Sequence, residues 1–469
     1  PPPARGGDGG PGGAPPGAGR APPAGGGARA PGPPPHFSGR EKMPQTGWDT
    51  VTVPGGVAGW KALSDRFGKL PFATLFEPAI EYAENGFLVS PRIARQWALQ
   101  EPVLKDQPGF AQAFLPDGKA PQAGQLWRFP AQAATLRKIA ESGGDSFYRG
   151  ELAARIVAFA QETGGALRAD DLEDHCVDWV EPISQDFGGY TLHELPPNGQ
   201  GIAALIGLGI LNQFDVANMG VDSTEFYHVS IEAMKLAFAD LHRHVSDPRT
   251  MRCTPAELLD PGYLKERAAL IAMDRVLMPS AGAPKSQGTV YMTAADANGS
   301  MVSLIQSNYR GFGSGIVVPG TGIALHNRGE GFNLKPGHVN CVGSRKRPMH
   351  TIIPGFVTRH GKPAMSFGVM GGSMQAQGHV QMMTRFAAFG QNPQAMSDAP
   401  RFRVEHGPVV HVEQHMPARV LEGLRALGHH VQVGERDSLE FGSAQIIYRA
   451  QSGYIAASDS RRDGQAVGF

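Results

Sequence analysis

The chain has 469 residues and a mass of 49.8 kDa, and its 41% hydrophobic content can fill one large core or two to three smaller ones. Lys+Arg and Asp+Glu are equal at 43 each, so no global field draws the chain to nucleic acid or to an anionic membrane. The three cysteines, Cys176, Cys253 and Cys341, are widely spaced and indicate neither a disulfide framework nor a zinc site, and no apolar run reaches the roughly 18 residues of a membrane span.

Residues 1–35 hold Gly or Pro at 24 of 35 positions. Such a tract buries too little apolar surface to offset its ordering entropy and is expected to be disordered. It has no apolar core of the signal-peptide kind, which points to a cytoplasmic chain. Ordered structure is expected from about Trp48. Residues 50–53 read as a strand, and Pro54-Gly55-Gly56 turns into a helix over 57–67. Helical periodicity recurs over 75–85, 90–100, 131–142 and 151–163, and a capping pattern at Arg168-Ala169-Asp170-Asp171 opens a short helix. Residues 190–195 alternate as a strand that stops at Pro196-Pro197, and a small-residue helix follows over 201–213.

The run 224–245 is strongly amphipathic, with Phe226, Val229, Ala233, Leu236, Ala237 and Leu241 on one face and His228, His242 and His244 decorating it. Asp240, His242 and His244 invite a metal reading, but positions two apart point to different sides of a helix, so solvated polar side chains are expected. A further helix is expected over 261–273. Residues 278–288 then form a linker containing Pro, Gly and Ser, the composition of a segment that must be cut or move.

The linker ends at Gly288. The β-prone runs 289–296 and 301–307, joined through Asn298-Gly299, predict a hairpin, because Asn and Gly tolerate the positive φ of a tight turn. Taken alone, Thr289 is simply a good strand residue. Beyond it, Gly311-Phe312-Gly313-Ser314-Gly315 is glycine-rich but lacks the Gly-Lys-Ser/Thr of a phosphate cradle. Strands are expected at 316–318, 323–326 and 364–368, and Gly371-Gly372-Ser373 opens a helix over 374–390. Two glycines at a helix start leave N–H groups uncovered at the positive end of the dipole, which suits an anion or oxyanion. A tight strand-to-helix turn is the plainer reading of that motif alone.

Together these pieces resemble the γ-glutamyltranspeptidase family of N-terminal-nucleophile hydrolases. The resemblance runs from about Thr52 to the C-terminus, through Thr52-Val53-Pro54-Gly55-Gly56-Val57-Ala58-Gly59, Leu195-Pro196-Pro197, Glu232-Ala233-Met234-Lys235 and Ala237-Phe238-Ala239-Asp240. It continues through the hairpin, Lys346-Arg347-Pro348, Gly371-Gly372-Ser373, Ala399-Pro400-Arg401-Phe402 and Ala457-Ser458-Asp459. It implies an α+β fold, a four-layer αββα sandwich, whose precursor cuts itself between Gly288 and Thr289. The chain then divides into a Gly/Pro-rich tract 1–47, a large-piece region 48–288 and a small-piece region 289–469.

A newly terminal Thr289 would carry both a nucleophilic hydroxyl and an α-amine, whose pKa of about 7.7–8.0 suits a general base. By the same resemblance Ser307 hydrogen-bonds the nucleophile, and Gly371 and Gly372 supply oxyanion-hole N–H groups. Asn327 lines the pocket, and Thr351 and His350 stand where the family has two serines that hold the substrate α-carboxylate. No cofactor or metal is implied. The expected partners are a small γ-glutamyl or glutaryl amide and, as acceptor, water, an amine or a peptide, with the two pieces of one precursor forming a heterodimer.

Departures from the family pattern bear on the substrate. The aspartate that receives the substrate α-amine falls at Gly331, with Glu330 beside it as the nearby carboxylate, and Arg328 stands in place of a glutamine. The substrate-gripping arginine has only Arg20 near Ala21-Pro22 as a counterpart. The lid segment before Lys346 is missing, which implies an open site, and the Gly/Pro tract stands where N-terminal core elements are expected. Three readings follow: an amidase for γ-glutamyl amides such as glutathione, a glutaryl amidase of the cephalosporin-acylase kind, and an unprocessed member acting as a binding or scaffold protein.

Overall fold

The computed structural model describes residues 33–278, 289–405, 407–435 and 438–469. The tract 1–32, with Arg20, and the linker 279–288, with Gly288, lie outside the described residues. Helices Gly56–Phe67 (α1), Glu77–Asn85 (α2), Pro91–Leu104 (α3), Pro130–Glu141 (α4) and Glu151–Glu162 (α5) match the expected periodicity to within a few residues. Residues from this helical region meet Ile316, Val318, Ile323 and Leu325 in one hydrophobic cluster.

Strands Ile183–Phe187 (β1) and Tyr190–Glu194 (β2) lead into helices Gly201–Leu211 (α6), Thr224–His244 (α7) and Pro261–Ala268 (α8). The expected hairpin is present as Thr289–Ala295 (β3) and Met301–Ser307 (β4). It is followed by Gly355–Arg359 (β5), Lys362–Met370 (β6), helix Met374–Met383 (α9), and strands Ser443–Ala450 (β7) and Gly453–Ser458 (β8). Six strands form one antiparallel sheet in the order β8-β7-β6-β5-β2-β1. Residues of α6, α7 and α9 share the main core with the inward side chains of this sheet. Every residue of α6 is buried, which explains its unbroken apolar and small composition.

The hairpin is the second β layer. Its turn is held by Asp296, whose carboxylate accepts from the backbone N–H of Asn298 at 3.0 Å and of Ser300 at 2.9 Å, with Gly299 at φ 91°. In β3 Tyr291 is buried between exposed Val290 and Met292, the period-2 pattern of a strand with one face packed. That packed face lies on the six-stranded sheet. A Cβ on Gly368 would stand 2.4 Å from the Tyr291 ring, Thr293 hydrogen-bonds Ser366, and the Ser303 hydroxyl donates to the Gly355 carbonyl at 2.9 Å. On the other side Trp60 Nε1 of α1 donates to Gln306 Oε1 at 2.9 Å. The layers therefore run helix, sheet, hairpin, helix: the expected α+β sandwich.

Several expectations are corrected. Residues 50–53 form no strand: Trp48–Thr50 is a 3-10 turn, and the Thr50 hydroxyl donates to the Gly47 carbonyl at 2.7 Å. The helix expected over 261–273 ends at Ala268, and that over 374–390 is α-helical only to Met383 before a π-turn at Thr384–Ala388. The polar residues of α7 are not solvated decoration. Asp240 is 4% exposed and pairs with Arg267 at 3.1 Å, and His228 is fully buried. Two core layers cover α7, so its polar face also turns inward.

Gly368→Ala is expected to push Tyr291 off the sheet, because a methyl group cannot share that space. Overpacking of this kind costs about 1–3 kcal/mol, measurable by urea unfolding.

Candidate active site

The end of β3 and the end of β4 meet through a Cα register that pairs Thr289 with Ser307. Thr289 Oγ1 donates to Ser307 Oγ at 3.0 Å, and Ser307 Oγ also accepts from the Tyr309 backbone N–H at 2.8 Å. Both residues are partly exposed and line a cavity of about 890 Å³ bounded by α1, α3 and the Gly311–Gly313 loop. Tyr309 holds φ at 77°, a left-handed conformation uncommon for an aromatic residue, so its N–H is aimed at Ser307 at a cost in backbone strain.

The packing of Tyr291 on Gly368 and of Thr293 on Ser366 sets a step of two residues along each strand. One further step brings Thr289 to Met370, which lines the same cavity. Gly371 and Gly372 follow directly, at φ 127° and 62°, conformations that L side chains rarely adopt. No backbone carbonyl among the described residues accepts from either N–H, and both precede the N-terminus of α9. The glycine turn follows directly on Met370, one strand step from Thr289.

A residue not foreseen ties this turn to the rest. Gln200, 1% exposed, donates from Nε2 to the Gly372 carbonyl at 2.7 Å and to the Thr351 carbonyl at 2.6 Å. Its own N–H donates to the His350 carbonyl at 3.0 Å. The signal was present as a lone Gln between Pro196-Pro197-Asn198-Gly199 and an apolar helix. Glutamine is the side chain that can offer two donors to two carbonyls.

Arg328, 8% exposed, donates from one terminal nitrogen to Thr351 Oγ1 at 3.2 Å and lies 5.1 Å from the Tyr309 ring centroid. Its other terminal nitrogen has no partner among the described residues. Burial lowers its pKa to about 10, which still leaves it cationic at neutral pH. His350 and His326 lie within its field. Burial first, then Arg328, holds His350 down to about 3 and His326 down to about 4, so both are neutral near pH 7.

Asn327 is fully buried and spent on the fold: its side chain donates to the Gln45 carbonyl at 2.8 Å and accepts from the Arg310 N–H at 3.1 Å. Both Glu330 oxygens are engaged by Arg310, at 2.5 and 2.6 Å, although burial raises the Glu330 pKa. Gly331 leaves no room for a side chain, since a Cβ there would lie 2.5 Å from the Met349 carbonyl oxygen. The structure thus brings Thr289 and Ser307 together on one cavity that Met370, the residue before the Gly371–Gly372 turn, also lines, and joins Arg328 to Thr351. Arg20 and Gly288 lie outside the described residues.

Among the described residues one group has metal-ligand potential, His228, Glu232 and His429, with donor atoms within 4.8 Å of one another. Lys235 Nζ sits 2.7 Å from Glu232 and already supplies a cation there, and His228 uses both nitrogens in hydrogen bonds, which leaves His429 Nδ1 as the one nitrogen of the group without a partner among the described residues. No helix of the described residues is long and apolar enough to cross a membrane.

The family profile described as gamma-glutamyltranspeptidase matches residues 34–469. The chain belongs to the γ-glutamyltranspeptidase family. This γ-glutamyltranspeptidase-family chain is 37% identical over 441 residues to the glutathione hydrolase-like YwrD proenzyme of Bacillus subtilis (strain 168), covering 92% of this chain and 83% of that relative. It is 35% identical to the oxamate amidohydrolase proenzyme of Klebsiella pneumoniae, over 92% of this chain and 84% of the relative. Its fold matches the crystal structure of cephalosporin acylase from Bacillus halodurans with a TM-score of 0.88 and 43% identity, covering 94% of this chain and 84% of the other.

His350 gives a pH test. Its folded pKa of about 3 lies below the ordinary 6.5, so between those values the unfolded chain binds a proton that the folded chain refuses. Stability from this group is complete above pH 6.5 and falls as pH drops through the window. Thermal unfolding is expected to show that His350→Gln flattens the loss of Tm between neutral and acidic pH.

Proposed function

We propose that this chain is a self-processing amide hydrolase and acyltransferase that works through an acyl ester on Thr289. The supporting observation is the 3.0 Å Thr289–Ser307 hydroxyl pair at the mouth of a cavity, one residue step from an uncovered pair of glycine N–H groups. In self-processing, Thr289 Oγ attacks the Gly288 carbonyl, the acyl group shifts from N to O, and water hydrolyses the ester. The freed α-amine then serves as base for the Thr289 hydroxyl, which attacks the substrate amide while Gly371 and Gly372 N–H groups receive the oxyanion. The amine product leaves, and water or a second amine takes the acyl group.

The two pieces stay together after cutting. Strands β1 and β2 come from before residue 288 and pair through β2 with β5, which comes from after it. A heterodimer of the two pieces is the form we propose for the working enzyme.

The acyl group is one with a carboxylate at its far end, γ-glutamyl amides such as glutathione being the class that family membership favours. Arg328, with its free terminal nitrogen beside Thr351, supplies a cation for that carboxylate. A second reading, a glutaryl or other des-amino acyl group, is favoured by one specific observation. Beside Arg328, Gly331 admits no side chain and Arg310 occupies Glu330, so neither position offers a free carboxylate to the α-ammonium of a glutamyl head. The relatives described as an oxamate amidohydrolase and a cephalosporin acylase support this wider acyl range.

Thr289→Ala is expected to leave one uncut band on denaturing electrophoresis and no amidase activity; a variant that still splits there refutes Thr289 as the self-processing nucleophile. Parallel assays of a γ-glutamyl anilide and its glutaryl counterpart decide the acyl group, and a clear glutamyl preference sinks the second reading. Arg328→Met is expected to raise KM for the preferred anilide by about 10- to 100-fold, the worth of a hydrogen bond to a charged group.

A further inference from the structure

A cluster of buried polar side chains lies away from the cavity and plays no part in the chemistry above. His228, Glu232 and Lys235 follow one another at three- and four-residue spacing on α7, and His429 approaches from the other side of the proposed cut. None is more than 2% exposed. Lys235 Nζ donates to Glu232 Oε1 at 2.7 Å, and the other Glu232 oxygen accepts from the Leu277 backbone N–H at 2.8 Å. His228 Nε2 donates to the Ala272 carbonyl at 2.8 Å. Its Nδ1 therefore accepts, and His429 Nε2 is the donor at 2.8 Å.

The direction of this network is informative. Both chains of bonds in it reach the backbone of residues 272–277, one at the Ala272 carbonyl and one at the Leu277 N–H, and run back to His429 and Lys235. That segment has left α8 at Ala268 and belongs to no helix or strand. Its backbone groups cannot be satisfied by a ladder, so side chains from below do it. Burying an ion pair and two imidazoles is costly, and an apolar filling of equal volume is often as stable or more so. What the polar set adds is a defined register for the segment resting on it. The segment is also the last described stretch before residues 279–288 and Thr289, and Val276 lies 3.7 Å from where a Cβ on Gly428, next to His429, would stand.

We propose that Glu232, His228 and His429 are positioning residues for self-processing: they clamp residues 272–277 and so fix where the chain that leads to the Gly288–Thr289 bond departs from the fold. This rests on the reading of Thr289 as the self-processing nucleophile. The hydroxyl attack on its own preceding carbonyl needs near-attack geometry, and a displacement of about 1 Å can cost about 100-fold in rate. Because His429 lies in the 289–469 region, the clamp also continues to join both pieces after the cut.

The test uses two full-length double variants. Glu232→Leu with Lys235→Met replaces the ion pair by apolar groups and removes the acceptor for the Leu277 N–H. Glu232→Gln with Lys235→Met removes the charges but keeps an acceptor. The chains are made by cell-free synthesis, and the 289–469 piece is followed by denaturing electrophoresis against time. The Leu/Met variant is expected to cut about tenfold or more slowly, with an unchanged Tm and with kcat/KM per cut molecule as in the parent. The Gln/Met variant is expected to cut near the parent rate. A Leu/Met variant that cuts as fast as the parent overturns the clamp, as does a Gln/Met variant equally slow, or a slowing that tracks a fall in Tm. A parent chain that never cuts overturns the reading of Thr289 itself.

Discussion

The site depends on one packing contact between two β layers. Gly368 has no side chain, and the Tyr291 ring fills the space that a Cβ would need. With Thr293 bonded to Ser366 two residues along each strand, the hairpin has a single register on the sheet. Period-2 geometry then carries the consequence to the strand ends, where Thr289 meets Met370 and the glycine turn. A slip of one residue would turn Thr289 to the exposed face now held by Val290. The placement of Thr289 is therefore a property of the core.

The remainder of the site is joined by side chains that make two contacts each. Gln200 binds the carbonyls of Thr351 and Gly372, so the segment that holds Thr351 and the glycine turn move as one. Tyr309 gives its N–H to Ser307 and its ring face to Arg328. Arg310 takes Glu330 out of play through two parallel hydrogen bonds, which are among the stronger polar contacts a surface-proximal pair can make. Its bidentate grip leaves Arg328 as the cation beside Thr351, and His326 and His350 nearby stay neutral so that they add no competing charge.

Legibility in the sequence followed the range of the interaction. Helices α1 to α5 and the hairpin were readable, because periodicity and the Asn298-Gly299 turn are local signals. The family was readable as a thread of motifs in order. The strands β1, β5, β7 and β8 went unread: each pairs with a neighbour across a short turn, but runs such as Ile183-Ser184-Gln185-Asp186-Phe187 carry no clear apolar alternation. Residues 50–53 show the same limit from the other side: β-prone residues with no strand to pair with stay irregular. The amphipathic reading of α7 found its apolar face correctly and misjudged the other, because a helix between two core layers hides polar groups that pair with one another. Gln200 and Tyr309 carry no motif of their own. Arg401 and Asp459, quoted above only as family markers, are a buried ion pair at 2.5 Å and hold the fold rather than the substrate.

The shared six-stranded sheet has a consequence for the order of events. While the chain is whole, β2 and β5 are tethered, and their meeting is a loop-closure problem whose entropy grows only slowly with length. Once the bond at 288–289 is cut, the same two strands belong to separate molecules, and any meeting after full unfolding depends on dilution. The uncut chain is thus the form in which the fold can be reached readily, and the cut form is one that inherits it. In the processing proposed above, maturation trades reversibility for a free threonine amine, so the lifetime of the cut protein is set by how slowly it opens, not by how well it could fold again.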